Sequence, residues 1–357
     1  MTNPFFSPSA LPYGLPPFAQ IRDEHYRPAF DRGFEEHLEE IEAITSNPQQ
    51  PTFENTMIPL EKSGQILHRV SLVFFNKQSA DSSDFGDELE EQLAPLLAAH
   101  SDSISLNAAL YARIAALHDR RHSLGLDAEG VYLIERYFTE FTQSGAGLSD
   151  PDKTRLMDLN QQLSVLTTKF EKNLLADTNE LAVVVEDVAE LDGLGEGEIS
   201  AAAEAAKERG LEGKYLITLV LPTGHPYLSA LTNRGLRQRI MEASISRGQH
   251  GGEYDNRDLV LQITRLRAQR AALLGYPNHA AVVTADQTAG TPEAVDAMLS
   301  RLAPPAARNA RAEQAELQFE AGDGTELASW DWAFYSEKVR KAKYDVDTSE
   351  MRPYVEA

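Results

Sequence analysis

Apolar residues recur every three or four positions along most of this chain, a spacing that puts them on one face of a helix. Behind Pro28, a residue suited to a first helical turn, Phe30, Phe34, Leu38, Ile41 and Ile44 form one stripe, which Asn47 and Pro48 close. Leu60, Leu67, Val70 and Phe74 mark a second helical face, and Leu89, Leu93, Leu96 and Leu97 a third. A fourth carries Leu106, Leu110, Ile114 and Leu117, and VYLIERYFTEF from Val131 predicts a fifth, buried on more than one side. The clearest signal starts at Ser149-Asp150-Pro151, a capping residue followed by proline. Behind it Leu156, Leu159, Leu163, Leu166, Phe170 and Leu174 hold their register over about five turns.

The pattern then changes. LAVVV (181–185) and YLITLVL (215–221) are rich in β-branched residues and predict strands. Between them lie the acidic turn DGLGEGE, read as surface, and an alanine-rich helix ending at Gly210. Helical spacing resumes in NRGLRQRIMEASISRG from Asn233, in DNRDLVLQITRLRAQRAALLG from Asp255, and behind the capping signal Thr291-Pro292-Glu293. The expected organisation is an extended arm over 1–27, a helical region over 28–180, a strand-helix-strand insert over 181–222 and a second helical region over 223–357. The arm is expected to pack through Phe5, Phe6, Tyr13 and Phe18. With about ten helices and one small sheet, the fold class is mainly α.

Charge narrows the function. The formal net charge is -22, so the clustered positive charge that nucleic acid or an anionic membrane surface requires is not expected. No stretch approaches a membrane span, and the opening MTNPFFSPSALPYG has neither the basic flank nor the apolar run of a signal peptide. The expected compartment is the cytoplasm. With no cysteine in the chain, thiolate metal sites, disulfides and cysteine nucleophiles are excluded.

The candidate chemistry is sparse. HDRRH puts His118 and His122 four apart, a spacing that lets two imidazoles reach one metal if both lie on a helix. Against that, Asp119 is a methylene shorter than the glutamate of the zinc-peptidase motif, and Arg120 and Arg121 add two positive charges beside a cation. The favoured reading is the basic end of a helix. None of the nine histidines is followed by glutamate, so H-E-x-x-H does not occur. No G-x-S-x-G elbow is present. Arg265, Arg267 and Arg270 are expected on the outer face of their helix, with carboxylate recognition by one of them as the alternative. The most unusual run is SWDWAFYSEKVRKAKYDVD from Ser329. It concentrates both tryptophans, and Trp332, Tyr335 and Val339 share a face beside strongly charged positions. Trp330, Trp332, Tyr335 and Arg340 are the candidates for a cleft wall or an interface.

That run, continued as WDWAFYSEKVRKAKYDVDTSEMRPY, resembles a segment of the zinc metallopeptidases that include thimet oligopeptidase, oligopeptidase A and bacterial peptidyl-dipeptidase. PTFENTMIPLEKSG, LPTGHPYLSALTNRGLRQRIMEASISRG, LRAQRAALLGYPNHAA and GTPEAVDAMLSRLAP agree in the same order, so the resemblance covers nearly the whole chain and is strongest to the peptidyl-dipeptidase branch. It implies a large multi-helix lobe of a two-lobed oligopeptidase that acts on short peptides and removes C-terminal dipeptides. It also implies one zinc held by the two histidines of H-E-x-x-H and a later glutamate, with the motif's own glutamate activating water. In that family the zinc helix lies downstream of the R-P-Y segment, here Arg352-Pro353-Tyr354. The chain is therefore expected to be an N-terminal half that binds no zinc, carries no catalytic residue, is inactive alone and has the missing C-terminal half as its partner. The alternative is a non-enzymatic helical protein that binds peptides or another protein.

Overall fold

The computed structural model describes residues 3–220, 224–322 and 324–344. The final R-P-Y segment and residues 221–223 lie outside the described residues. The chain divides into two compact units, one of residues 1–169 with 262–287, the other of 170–261 with 288–357.

In the first unit the helices are α1 (Tyr26–Thr45), α2 (Ile58–Lys62), α3 (Gln65–Ala80), α4 (Asp84–Ser105), α5 (Ala108–Arg120) and α6 (Ala128–Ser144), followed by α7 (Asp150–Glu180), which runs into the second unit's residues. Local chemistry explains their starts. The side chains of Ser83, Asn107 and Asp127 each accept a hydrogen bond from the third backbone N–H of the helix that follows, satisfying a donor that the helix itself cannot. One core cluster joins α1, α3 and α4 through Phe30, Val70, Phe74 and Leu93. A second joins α1, α5 and α6 through Ile41, Ile44, Ile114, Leu117 and Ile134. Of the arm, Phe5 is buried and Phe6 packs beside it, whereas Tyr13 and Phe18 are exposed.

The true inner face of α1 differs from its apolar stripe. Leu38 is exposed, while Gly33 and His37 face neighbouring helices. A Cβ built on Gly33 would stand 2.9 Å from both Cα and N of Leu67, so α1 and α3 meet at backbone distance there. His37 Nδ1 lies 3.0 Å from His100 Nε2 on α4, and its Nε2 lies 3.2 Å from the Ser63 hydroxyl. Burial, reinforced by the neighbouring His37, pushes the His100 pKa down to about 4. Arg270 departs likewise from its expected outer face: it turns inward, its Nε donating to Asn160 Oδ1 at 2.8 Å.

The second unit contains the insert. β1 (Val183–Val185) and β2 (Tyr215–Ile217) pair antiparallel, with Val183 opposite Ile217 and Val185 opposite Tyr215. α8 (Glu196–Glu208) connects them. α9 (Gly224–Ala230), α10 (Arg234–Ile245), α11 (Arg257–Leu273), α12 (His279–Thr284), α13 (Pro292–Ala321) and α14 (Trp332–Tyr344) complete the chain, α12 and the end of α11 belonging to the first unit. Val185, Leu191, Ile217, Leu231, Leu236 and Ile240 form this unit's core. The acidic DGLGEGE turn is more than surface: Gly193 has φ +99°, and a Cβ there would meet the Ala230 carbonyl at 2.1 Å. Thr232 N donates to Asp192 O at 2.9 Å and its hydroxyl to Asp192 Oδ2 at 2.7 Å, which ties the insert to the start of α10. The fold is mainly α with one small sheet, as the periodicity predicts.

Two predictions follow from the first unit. Gly33→Ala gains about 1 kcal/mol in helix propensity but overpacks the α1–α3 contact at a cost of about 1–3 kcal/mol. A lower urea midpoint is expected, and an unchanged or higher one would show that the helices move apart freely. Unfolded His100 gains its proton near pH 6.5 and the folded residue only near 4, so the unfolded state binds more protons as pH falls through that interval. Stability should fall from pH 6.5 towards 4, and His100→Gln should flatten that loss. Parallel pH–stability curves for the two proteins would contradict the assignment.

Candidate functional site

The aromatic run is held by a buried charge. Asp331 ends a short 3₁₀ turn, Ser329–Asp331, and its carboxylate reaches back to the Ala328 N–H at 3.0 Å. Asn233 caps α10 by accepting from Leu236 N at 3.1 Å, so Arg234 and Arg237 leave the first turn of α10 together. Arg237 Nη2 donates to Asp331 Oδ1 at 2.8 Å, and Arg234 Nη2 to Oδ2 at 2.7 Å. Asp331 is fully buried and Arg237 is 2% exposed. Three further Arg237 donors are satisfied: Nη1 by the carbonyls of Leu231 and Thr232, and Nε by that of Trp330. Its guanidinium carbon also stands 4.2 Å from the centroid of Phe334, a cation–π distance. Burial alone would raise the Asp331 pKa, but the hydrogen bonds from Arg234, Arg237 and Ala328 outweigh it and hold the carboxyl below its ordinary value. With both carboxylate oxygens accepting hydrogen bonds, this group anchors the run.

The four sequence candidates sit around the anchor with different surroundings. Trp330 lies beneath Arg234, whose guanidinium carbon is 5.8 Å from the ring, and its buried indole N–H has no acceptor among the described residues. Trp332 is exposed at the start of α14. Tyr335 packs edge-on to Phe334 with the Lys338 ammonium 5.6 Å from its ring. Arg340 makes a bidentate pair with Glu337, both bonds at 2.7 Å. The arrangement offers aromatic faces and cations, which suits binding rather than bond-breaking. Sequence reasoning missed Arg234, Arg237 and Asp331. The available signal was an acid enclosed by two tryptophans, at a position where a charge is buried only when paired.

HDRRH does not form a two-histidine helix face. α5 ends at Arg120, and His122 belongs to the 3₁₀ turn Arg121–Ser123. His118 stacks on Phe138, centroids 3.9 Å apart and planes 10° apart. Burial and the nearby Arg121 lower its pKa. Arg121 pairs with Glu135 at 2.6 Å and Arg120 donates to the Pro51 carbonyl at 3.0 Å. The helix end is solvated at Asp119, Arg120 and His122, while His118 and Arg121 are partly packed. Among the described residues no group of three His, Cys, Asp or Glu side chains is placed to hold a metal ion, and no helix is long and apolar enough to cross a membrane.

Comparison with known proteins gives the context. Residues 227–357 match the model of peptidase family M3. The whole chain is similar to dipeptidyl carboxypeptidase of Escherichia coli (strain K12), 42% identical over 357 residues, covering 99% of this chain and 52% of that protein. The Salmonella typhimurium dipeptidyl carboxypeptidase shows the same identity and coverage. Oligopeptidase A of Haemophilus influenzae is 32% identical, with 99% of this chain and 52% of that protein covered. The chain therefore spans about half the length of the curated relatives it matches.

Asp331→Asn removes the countercharge of Arg237 while keeping the side chain's shape. Stranding that buried cation should cost about 3–5 kcal/mol, read as a lower denaturant midpoint and lost near-ultraviolet tryptophan signal. A change below about 1 kcal/mol, the range of exposed pairs, would contradict the burial of this group.

Proposed function

We propose that this chain, whose residues 227–357 match peptidase family M3, forms the N-terminal part of a cytoplasmic, zinc-dependent oligopeptidase that removes dipeptides from the C-termini of short peptides. What carries the reading is the 42% identity to a dipeptidyl carboxypeptidase, sustained over 99% of the chain. The proposal places the zinc in residues outside this chain. The described residues do not fit such a site: no group of three His, Cys, Asp or Glu side chains among them is placed to hold a metal ion, the two histidines of HDRRH are split by a helix end, and His118 stacks on Phe138. This part then shapes the peptide channel. Trp330, Trp332, Tyr335 and Arg340 belong to the channel wall or to the face that meets the remainder of the enzyme.

A second feature supports a docked remainder. On α13, Met298, Leu299 and Leu302 follow a helical spacing and are all about half exposed, a concentration of apolar side chains that water does not favour. The alternative reading, a non-enzymatic helical peptide-binding protein, has the same aromatic and basic residues on α14 in its favour.

The test is complementation. The 357-residue chain alone should not hydrolyse a short blocked peptide. Mixing it with the remaining half of the Escherichia coli dipeptidyl carboxypeptidase should yield dipeptide release that a chelator abolishes and zinc restores. Chelator-sensitive hydrolysis by the chain alone would overturn the proposal. Micromolar peptide binding by the chain alone, with no hydrolysis in the mixture, would favour the non-enzymatic reading.

A further inference from the structure

The first unit holds a polar cavity of about 320 Å³ lined by residues of α4, α6, α7 and α11. Across it runs a hydrogen-bonded relay: Arg270 Nε donates to Asn160 Oδ1 at 2.8 Å, and Asn160 Nδ2 donates to Asp102 Oδ1 at 2.8 Å. Asp102 is only 7% exposed. Serine hydroxyls of Ser101, Ser105 and Ser144 complete much of the wall. Burial raises the Asp102 pKa and lowers that of Arg270, and each is the charge that the other feels. Among the described residues Asp102 Oδ2 and the two terminal nitrogens of Arg270 make no hydrogen bond to the protein, so an acceptor and several donors are open to a small ligand.

The geometry selects a ligand. Asn160 presents an oxygen to the cation and an N–H to the anion, separated by the width of one amide, about 2.3 Å from standard bond lengths. An α-amino acid carries a carboxylate oxygen and an ammonium nitrogen about 2.7 Å apart, in the same sense and at nearly the same spacing. It can span the unused faces of Arg270 and Asp102 as Asn160 spans the used ones. A charge-assisted bond at each end is stronger than a neutral one, and it is made here to a buried carboxylate and a half-buried guanidinium. A dipeptide sets its terminal charges a residue further apart, by about 3.5 Å, and does not match. We propose that this cavity is a binding site for the zwitterionic head of a free α-amino acid, with Arg270 holding the carboxylate, Asp102 the ammonium and Asn160 fixing the distance between them. The site stands independently of the peptidase reading.

The 357-residue chain is titrated calorimetrically with glycine and L-serine, and in parallel with acetate, ethylamine and dialanine. Saturable binding of the two amino acids is expected at millimolar concentration or below, with each single-charge probe and dialanine at least tenfold weaker. Asp102→Asn and Arg270→Gln should each weaken L-serine binding at least tenfold. Should either variant fail to fold by circular dichroism, Ala98→Leu decides: it narrows the cavity with the polar trio intact and should also remove binding. The proposal is overturned if the folded chain shows no saturable uptake of either amino acid up to tens of millimolar, if acetate, ethylamine or dialanine binds as well, or if Ala98→Leu binds L-serine unchanged.

Discussion

The second unit depends on one buried ion pair. Asp331 and Arg237 lie 94 positions apart and are both withdrawn from water. Taking either charge out of solvent alone costs several kcal/mol. The pair is tolerable because the carboxylate accepts from two arginines and a backbone N–H while the guanidinium also donates to three carbonyls. Those carbonyls belong to Leu231, Thr232 and Trp330, so one cation fixes the entrance of α10 and the turn before α14 together. Thr232 in turn grips Asp192 of the insert. The small sheet, α10 and the aromatic run are thus referred to a single point, and the tryptophans that looked like a binding surface owe their positions to it.

The first unit is organised by a different constraint, the close approach of helices. Gly33 lets α1 reach the backbone of α3, and the adjoining layer of Phe30, Phe74 and Leu93 fills the space that results. Where the helices diverge, polar groups take over: the His37–His100 contact on one side of α4 and the Asp102–Asn160–Arg270 relay on another. Each is a satisfied or half-satisfied network in place of apolar packing, and each carries charge-dependent behaviour that a leucine-lined interior would lack.

Function is carried by kinship more than by any constellation of reactive groups. The described residues supply aromatic faces, cations and a polar cavity but no group of three His, Cys, Asp or Glu placed to hold a metal ion. In the proposed reading this part positions substrate, which draws on shape and electrostatics, while bond cleavage needs the activated group itself.

The sequence by itself determined most of the helices and the small sheet, but not the break at Ser63-Gly64 that divides the second predicted face between α2 and α3. Periodicity and capping are local: Asp127 caps α6, Thr291 caps α13, and β-branched runs mark β1 and β2. It also carried the family, because ordered blocks of identity need no coordinates. What only the tertiary structure decided is pairing at a distance. Gly33 and His37 break the apolar stripe of α1 and yet face inward, because a close backbone approach and a histidine partner 63 positions away replace hydrophobic burial. Arg270 reads as an outer-face cation until Asn160 and Asp102 are brought to it, and His118 reads as part of a basic helix end until Phe138 is stacked on it. A charge or an imidazole has no inside or outside of its own. Its place is set by the partner that compensates its desolvation, and that partner is chosen by the fold.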